Sequence, residues 1–378
     1  MSPRALEVIE PGMLTTVQDR GRYGYQRFGV PISGAMDEFA LRAANLLVGN
    51  KETAAGLELT VNGPRVQLLV DTWIAVTGAD LSAELDGERL PRWQSVEVSA
   101  DSVLSFSGPR DGVRAYLAVA GGIDVPLVMG SRSTYVKAAI GGFHGRPLAG
   151  GDTIDAPALD EGSEFELRSL PDGFAAPKYG DEHEIRVVLG PQHQAFGQEA
   201  IATFLNSSYA VSPESDRMGY RLRGPTIEHQ TSADIVSDGS PAGAVQVPGE
   251  GVPTILLADR GTTGGYTKIA TVISTDLGRI AQALPGQAVN FKAVTVEQAR
   301  QLRRELEEVL AGIHDGGTFG YGPKLSITVD GEASEVVGED GAAMASPQAR
   351  EGATLEKRRA SATVGGQTYG FDVDIHRA

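Results

Sequence analysis

Glycine is the residue that most constrains the fold of this chain. It makes up 48 of the 378 residues, about 13% where soluble proteins average about 7%, and it shows no Gly-X-Y period. Because glycine adopts positive φ angles without steric cost and weakens helix interiors, a chain this rich in it needs many tight turns. The composition therefore favours many short strands over a helical bundle.

Short apolar or alternating segments recur between Gly, Pro, Asp and Asn along the chain. They include LEVIEPG (6–12), GLELTVNGP (56–64), SVEVSADSVLSFSGP (95–109), VRAYLAVAGG (113–122), IRVVLGP (185–191) and TILLADRG (254–261). Helical segments do not alternate with them, which argues against a doubly wound nucleotide-binding fold. The pattern predicts a mainly β chain, built as a barrel or a sandwich.

Three segments have the periodicity of helices. Residues 36–48 carry a broad apolar face and stop at Gly49, and Asp37 and Glu38 lie in the first turn, where acidic residues favour the helix dipole. Residues 296–312 follow Thr295, a predicted N-cap with Gln298 three positions on. A shorter helix is predicted over 276–284, with Thr275 as its N-cap and Pro285-Gly286 as its end.

The two halves of the chain resemble each other. GVRAYLAVAGG (112–122) and GSRSTYVKA (130–138) are matched by GVPTILLADRG (251–261) and TGGYTKIA (263–270). Tyr135 and Lys137 align with Tyr266 and Lys268 at one offset of 131, and Gly63-Pro64 aligns with Gly224-Pro225. We interpret the similarity as an internal repeat of one barrel.

The domain boundaries follow from composition. A stretch rich in Pro, Gly and acidic residues between Asp155 and Glu184 separates a first domain, 1–170, from a second, 184–314. From 315 to 378, two strand–turn–strand motifs, KLSITVDGEASEVVGED and ASATVGGQTYGFDVDI, are joined by a polar stretch, 344–359. They predict a small C-terminal β extension or a partly mobile tail.

Composition also excludes several classes of function. The chain has no cysteine, so thiolate nucleophiles and cysteine-based metal sites are absent, and its six histidines show no paired ligand spacing, so we expect no metal site. A net charge of −16 disfavours nucleic acid as a partner. No signal peptide and no apolar run of about 20 residues is present, so we expect no membrane association and a cytoplasmic protein.

Three Asp-Arg dipeptides are candidate anion-binding elements. Each lies beside glycine or small polar residues: Asp19-Arg20, Asp216-Arg217 and Asp259-Arg260. A guanidinium fork binds an anionic group while the neighbouring carboxylate orients it or takes a proton. The alternative for each pair is a local salt bridge or a turn cap.

The segment ADRGTTGGYTKIA (258–270) has the most site-like composition. Thr262, Thr263 and Gly264 offer hydroxyls and backbone N–H groups to a phosphate or a carboxylate, and Arg260 and Lys268 supply positive charge. It is not a Walker A motif, and a hairpin with a glycine bulge is the structural alternative. Its counterpart in the first half, GSRSTYVK (130–137), has the same two interpretations.

Several long motifs together resemble a known family. TTVQDRGRYGYQRFGVPISGAMDEFALRAANLLVGN (15–50), SDRMGYRLRG (215–224), GAVQVPGEGVPTILLADRGTTGGY (243–266) and IAQALPGQAVNF (280–291) occur in the order typical of the biotin-dependent carboxyltransferase family, also called the allophanate hydrolase subunit 2 or KipA-like family. The resemblance covers about residues 5–295. It implies two tandem cyclophilin-like β-barrels, in agreement with the repeat.

The resemblance also implies a function and partners. It implies a component of an ATP-dependent 5-oxoprolinase, acting on a small-molecule substrate with a KipI-like B-type subunit and a LamB/YcsF-like A-type subunit. Two alternatives remain, the carboxyltransferase component of a urea carboxylase and a KipA-like regulatory protein that binds a KipI-like kinase inhibitor. ATP is the implied cofactor, bound by this chain or by the complex. The chain has no Ala-Met-Lys-Met acceptor, so biotin, where used, must come on another chain.

The candidate site residues divide into two groups. As catalytic residues we predict Asp216, Arg217, Asp259, Arg260 and Lys268, the cations stabilising developing charge and one carboxylate acting as base. As substrate-binding residues we predict Asp19, Arg20, Arg132, Ser133, Thr134, Tyr135, Gln246, Thr262, Thr263, Gly264 and Tyr266.

Overall fold

The computed structural model describes residues 2–157 and 167–314, and the strands at 325–329, 332–336, 354–364 and 367–377. The contacts divide the chain into two compact units, Met1–Gly317 and Thr318–Ala378. The first unit contains both halves of the predicted repeat. The boundaries predicted inside it, at 170 and 184, stay predictions.

The first half of the larger unit consists of two sheets around one apolar core. Its strands are β1 (Arg4–Glu10), β2 (Leu14–Gln18), β3 (Gly56–Thr60), β4 (Arg65–Leu68), β5 (Thr72–Asp80), β6 (Ala83–Leu85), β7 (Glu88–Arg89), β8 (Ser95–Val98), β9 (Val103–Phe106), β10 (Asp111–Val119) and β11 (Thr153–Asp155). The sheet orders are β11-β1-β4-β9-β6-β7 and β2-β3-β10-β5-β8. Buried Leu, Val, Ile and Ala side chains from both sheets form the core.

The second half contains a closed barrel of seven strands. The strands of this second half, two of which lie outside the barrel, are β12 (Glu182–Leu189), β13 (Ser208–Val211), β14 (Gly219–Arg223), β15 (Asp234–Gly239), β16 (Ala244–Gln246), β17 (Thr254–Leu256), β18 (Thr263–Tyr266), β19 (Lys268–Val272) and β20 (Ala288–Ala293). The barrel order is β12-β19-β16-β17-β14-β13-β20, and β15 and β18 pair separately as a two-stranded ribbon. The mainly β prediction is confirmed.

Strand order supports the internal repeat. In the first half β2, β3, β10 and β5 are neighbours in that order, and in the second half β13, β14, β17 and β16 are, with the same chain order within each set. The two Gly-Pro pairs also correspond, because a Cβ on Gly63 would lie 2.6 Å from the Phe106 ring and one on Gly224 would lie 2.6 Å from the Tyr209 ring. Each glycine is required by the close approach of an aromatic ring.

One alignment proposed for the repeat is wrong at the level of local structure. Tyr135 precedes a 3-10 turn at Val136–Ala138 that contains Lys137, whereas Tyr266 ends β18 and Lys268 begins β19. The shared offset of 131 thus relates a loop in the first half to a pair of strands in the second, because short Gly-rich sequences are compatible with both structures.

Four α-helices accompany the strands in the described part of the chain: α1 (Glu38–Leu47), α2 (Gln198–Asn206), α3 (Leu277–Ala281) and α4 (Val296–His314). The predicted Thr295–Gln298 cap of α4 is confirmed by reciprocal hydrogen bonds of 2.9 and 3.2 Å. The predicted Thr275 cap is wrong, since α3 has Asp276 at its N-cap, with no side-chain capping bond. Helix α2 was not predicted from the sequence, because its N-cap Gly197 offers no side-chain signal.

The C-terminal unit has four described strands, β21 (Leu325–Val329), β22 (Glu332–Val336), β23 (Thr354–Val364) and β24 (Gln367–Arg377), in the antiparallel order β22-β21-β23-β24. The pairs β21–β22 and β23–β24 are the two predicted strand–turn–strand motifs. Of the polar stretch predicted between them, residues 354–359 belong to β23, and the rest lies outside the described residues. No helix in the described part of the chain is long and apolar enough to cross a membrane.

Helices α1 and α4 are joined by a buried arginine. Arg42 on α1 is 5% exposed and contacts Glu52 at 2.6 Å and Glu307 on α4 at 2.5 Å. Hydrogen bonding to Arg42 lowers the pKa of Glu307 to about 2. The ionised form of Glu307 is therefore the one that holds the two helices together.

Glycine 224 provides a test of the packing. We expect Gly224→Ala to destabilise the protein by about 1–3 kcal/mol, because the added Cβ meets a buried ring that cannot move aside. Gly249→Ala is the matched control, since nothing lies within 4 Å of that position. The measurement is the urea midpoint of each variant; equal midpoints would contradict the proposed close packing.

The Arg42–Glu307 contact predicts a pH dependence. The Glu307 carboxyl binds its proton more weakly in the folded chain than in the unfolded one. The contribution of Glu307 to folding stability is therefore present above pH 4.5, its ordinary pKa, and is lost as the pH falls through about 2. Glu307→Gln removes the contribution, so the stability difference between wild type and variant should shrink between about pH 5 and pH 2. Urea unfolding across this range measures it, and a constant difference would contradict it.

Candidate functional site

A buried arginine holds two carboxylates where the two halves meet. Arg217, just before β14, donates from Nε to Asp259 Oδ2 at 2.9 Å and from Nη1 to Glu58 on β3. All three side chains are at most 8% exposed. Burial opposes the charge of Arg217, but the attraction of Glu58 and Asp259 outweighs it and raises its pKa. A buried charge with such partners is fixed in place.

The same charges hold one segment of backbone. Arg217 Nη2 donates to Gly34 O at 2.7 Å, and Glu58 Oε2 accepts from the amide of Met36 at 2.8 Å. The hydroxyl of Tyr116 donates to Glu58 and accepts from the amide of Asp37 at 2.7 Å. The network therefore positions residues 33–37, which we call the junction segment.

Further hydrogen bonds fix the start of the junction segment. Ser33 N donates to Ala258 O at 3.1 Å, and Ala35 N donates to Asp19 O at 3.0 Å. Ser33 has φ 57°, a left-handed conformation that a non-glycine residue adopts only when its surroundings impose it. Its hydroxyl is buried and has no hydrogen-bond partner among the described residues. Strain and an unsatisfied polar group at one residue are typical of functional sites.

A cavity of about 750 Å³ lies against the junction segment. Its apolar wall includes Met36, Phe39, Phe174, Leu277, Leu302, Leu306 and Val309. Six arginines line it, Arg20, Arg42, Arg186, Arg260, Arg279 and Arg303, against four acidic residues, Asp37, Glu38, Asp276 and Glu305. Four of these arginines are ion-paired: Arg20 with Glu38 and Glu52, Arg42 with Glu52 and Glu307, Arg186 with Asp276, and Arg303 with Glu307. Arg260 and Arg279 form no ion pair among the described residues, so they are the cations of the lining that can meet an anionic ligand.

Arg260 is the predicted site residue best placed to bind that ligand. It is 7% exposed, and its orientation is set by bonds from Nε to Ser240 O at 2.7 Å and from Nη1 to Leu257 O at 3.1 Å. Among the described residues it forms no ion pair, and its Nη2 has no hydrogen bond. Burial lowers its pKa, yet a guanidinium remains charged at neutral pH. It can therefore hold an oxyanion in the cavity.

Asp37 is a buried carboxyl group in the same lining. It is the N-cap of α1 and accepts from Ala40 N at 3.1 Å, Gln282 Nε2 at 3.0 Å and Tyr179 OH at 3.3 Å. Burial raises its pKa, against the effect of these bonds. Its position at the start of the helix agrees with the structural role expected from the sequence.

The predicted residues of the first half form a loop anchor rather than a cavity wall. The Asp19 carboxylate accepts from Ser131 Oγ at 2.7 Å, from Ser133 Oγ and from the amide of Arg132. Thr134 Oγ1 donates to Val17 O at 2.9 Å, and the amide of Tyr135 donates to Ile140 O. These groups hold the 130–135 loop. Arg20 does line the cavity, where it pairs with Glu38 and Glu52 at 2.9 Å.

Lys268 and Gln246 belong to a second polar cluster. They lie opposite each other on β19 and β16, and Lys268, 1% exposed, contacts Asp238 at 3.4 Å. Gln246 Nε2 and Ser240 Oγ are buried without a hydrogen-bond partner among the described residues. A Cβ added to Gly264 would lie 2.5 Å from Gln246 Nε2. None of these residues lines the cavity.

The remaining predicted residues lie nearer the surface. Asp216 pairs with Lys137 at 3.2 Å and accepts from the amide of Met218 at 2.7 Å, so it caps a turn. Thr262 O accepts from Ser240 N, while Thr263 and Tyr266 lie exposed on β18. The structure thus divides the predicted site into three places. The roles assigned to its residues stay predictions.

Glu58 and Ser33 were not predicted from the sequence as site residues. Glu58 stands alone among apolar neighbours in GLELT, and a lone acid in a buried strand is a signal that it has a charged partner. Ser33 lies in VPISGA, which gives no signal of its left-handed conformation. Across 2–157 and 167–313, no group of three or more His, Cys, Asp or Glu residues is arranged to hold a metal.

The two related β halves both contribute residues to the lining of one cavity. Residues 28–293 match the family model of the carboxyltransferase domain, subdomain A and B. The chain therefore belongs to this carboxyltransferase-domain family, as the resemblance predicted.

Two relatives and one solved structure define the similarity further. The chain is 40% identical to the C subunit of 5-oxoprolinase from Escherichia coli (strain K12), over 79% of this chain and 94% of that protein. It is 37% identical to the C subunit of 5-oxoprolinase from Haemophilus influenzae, over 80% and 95%. It is also similar to Kluyveromyces lactis urea carboxylase, with TM-score 0.78 and 29% identity, over 97% of this chain and 33% of that one.

The buried charge network predicts a large effect of substitution. We expect Arg217→Met to destabilise the protein by about 3–5 kcal/mol, because Glu58 and Asp259 lose their cation in a buried place. The matched control is Arg221→Met, whose arginine is 65% exposed, with an expected effect within about 0.5 kcal/mol. Urea unfolding of both variants measures this; equal stabilities would show that the buried network is not needed.

Proposed function

We propose that this chain is the C-type subunit of an ATP-dependent 5-oxoprolinase. The observation that carries the proposal is the 40% identity over 94% of the Escherichia coli relative, since such coverage relates the whole proteins rather than one module. A protein named as one lettered component of an enzyme works in a multi-subunit complex. We propose a KipI-like B-type subunit and a LamB/YcsF-like A-type subunit as the partners, in the cytoplasm.

The chemistry of the substrate fits the cavity. A lactam resists water because its carbonyl is stabilised by amide resonance. ATP supplies the activation when the carbonyl oxygen is phosphorylated, and the substrate carries a carboxylate throughout. A buried guanidinium stabilises both the carboxylate and a developing oxyanion better than water does. Arg260 lines the cavity and its Nη2 has no hydrogen bond among the described residues, which supports it as this guanidinium.

The structure changes which predicted residue we assign to this contact. Arg217 and Asp259 use their charged groups on each other, on Glu58 and on the junction segment. We therefore propose them as positioning residues and Arg260 as the residue that touches substrate. Asp216 and Lys268 keep their predicted roles as hypotheses. ATP stays a proposed cofactor of the complex, and biotin applies only when another chain supplies it.

The second candidate is a carboxyltransferase that moves CO₂ from carboxybiotin to urea or a related amide. The observation that favours it is the similarity to the Kluyveromyces lactis urea carboxylase structure over 97% of this chain. In that reaction Arg260 would hold the transferred carboxylate. A biotin carboxylase and a lysine-bearing carrier are then required as partners.

Reconstitution tests the two candidates. The assay measures ATP-dependent glutamate release from 5-oxoproline by this chain mixed with the A-type and B-type subunits, against mixtures that lack each one. We expect Arg260→Gln to lower the rate roughly tenfold to a thousandfold, because it removes the charge that meets the oxyanion.

Arg221→Gln is the control, since this exposed arginine lies outside the cavity lining, and it should leave the rate unchanged. An unchanged rate for Arg260→Gln would contradict the proposed contact. Urea-dependent turnover with a biotin carrier, without glutamate release, would favour the carboxyltransferase.

A further inference from the structure

Two segments of this acidic chain contain no acidic residue. Aspartate and glutamate make up 49 of 378 positions, yet residues 20–36 and 125–151 hold none. At the average frequency the 44 residues of these segments would include about six. The segments carry six of the basic residues: Arg20, Arg22, Arg27, Arg132, Lys137 and Arg146.

The fold brings the two segments side by side. Arg22 is fully buried and donates from Nε to Val128 O at 3.0 Å and from Nη2 to Ser133 O at 2.8 Å. Asp19, the residue just before the first segment, accepts from Ser131 and Ser133 in the second. We call the exposed parts of 20–30 and 125–138 the acid-free surface.

The acid-free surface is rich in exposed apolar side chains. Of the twelve large hydrophobic residues exposed in the described part of the chain, five lie on it: Tyr23 (60%), Phe28 (66%), Leu127 (60%), Met129 (37%) and Val136 (38%). The fold leaves these side chains in water although they lie on loops anchored by buried polar groups. Clusters of this kind mark interaction surfaces.

The charge of the surface selects among partners. Arg20, Arg132 and Lys137 pair with acidic residues outside the two segments. Arg27 has no ion pair among the described residues and lies 4.6 Å over the Phe28 ring. Because its charge is available and no carboxylate of these segments opposes it, the surface favours an apolar partner face bordered by Asp or Glu.

The surface also reaches the cavity. Arg20 and Tyr23 belong to the first segment and line the cavity wall. A partner that covers the exposed Tyr23 would therefore also cover part of the cavity lining. This gives the association a consequence for the site, because covering the lining limits the access of water to the cavity that Arg260 lines.

We propose that the acid-free surface docks a partner protein of the complex through an apolar, acidic face, and that the docked partner covers the Tyr23 side of the cavity. The inference rests on the proposed function, since the partner is a component of the 5-oxoprolinase complex. A protein partner is favoured over a membrane because the apolar side chains are held on two anchored loops, as a specific complementary face requires.

The experiment measures binding and turnover separately. Full-length Phe28→Glu and Leu127→Glu variants are titrated with the B-type and with the A-type subunit by calorimetry, and each mixture is assayed for glutamate release. Val236→Glu is the matched control, because Val236 is 92% exposed on the β15–β18 ribbon. Circular dichroism confirms that each variant is folded.

We expect both substitutions to weaken the binding of one partner at least tenfold and Val236→Glu to leave it unchanged. Wild-type affinity in both variants would overturn the proposal. It would also be overturned if the two substitutions abolished self-association, or binding to anionic vesicles, and left partner binding unchanged. Normal turnover with both substitutions would contradict the proposed docking surface without contradicting the proposed function. Partner binding through this surface without opening of 5-oxoproline would contradict the proposed function without contradicting the docking surface.

Discussion

The structure of the larger unit depends on one buried arginine. Arg217 comes from the second half of the repeat and meets Glu58 from the first, with Asp259 on its other side. A guanidinium and two carboxylates out of water are tolerated only with close partners, so this contact fixes how the two halves meet. From it follow the positions of Gly34, Met36 and Asp37 in the junction segment.

The distribution of charge extends this account to function. A chain with 49 acidic and 33 basic residues disfavours anions at most of its surface. Of the six arginines around the cavity, four are paired with acidic residues, whereas Arg260 is held by carbonyl groups rather than by a carboxylate. Such an arginine is oriented without being neutralised, which is the arrangement that binds an incoming oxyanion.

Local patterns in the sequence predicted most of the strands, α1, α4 and the repeat, because alternation, capping and turn residues are read within a few positions. Helix α2 was missed because its N-cap is a glycine, and Thr275 was a false cap because Asp276 occupies that position and binds Arg186. The site was harder, since its contacts join residues far apart. Arg217 and Glu58 are separated by 159 positions, so no local pattern links them. The Asp-Arg pairs were found from the sequence, but the folded chain was needed to show that Arg20 and Arg260 line the cavity while Arg217 lies in the charge network.

Hydrogen exchange at the junction segment tests the central claim most directly. In Glu58→Gln the side chain keeps its size and an acceptor, but Arg217 loses one of its two charged partners. The account predicts that the amides of Ser33, Ala35, Met36 and Asp37 exchange at least tenfold faster than in wild type, while the β12–β20 barrel keeps its protection. Unchanged protection of these four amides would show that the junction segment is held without the buried charges, and would contradict the account.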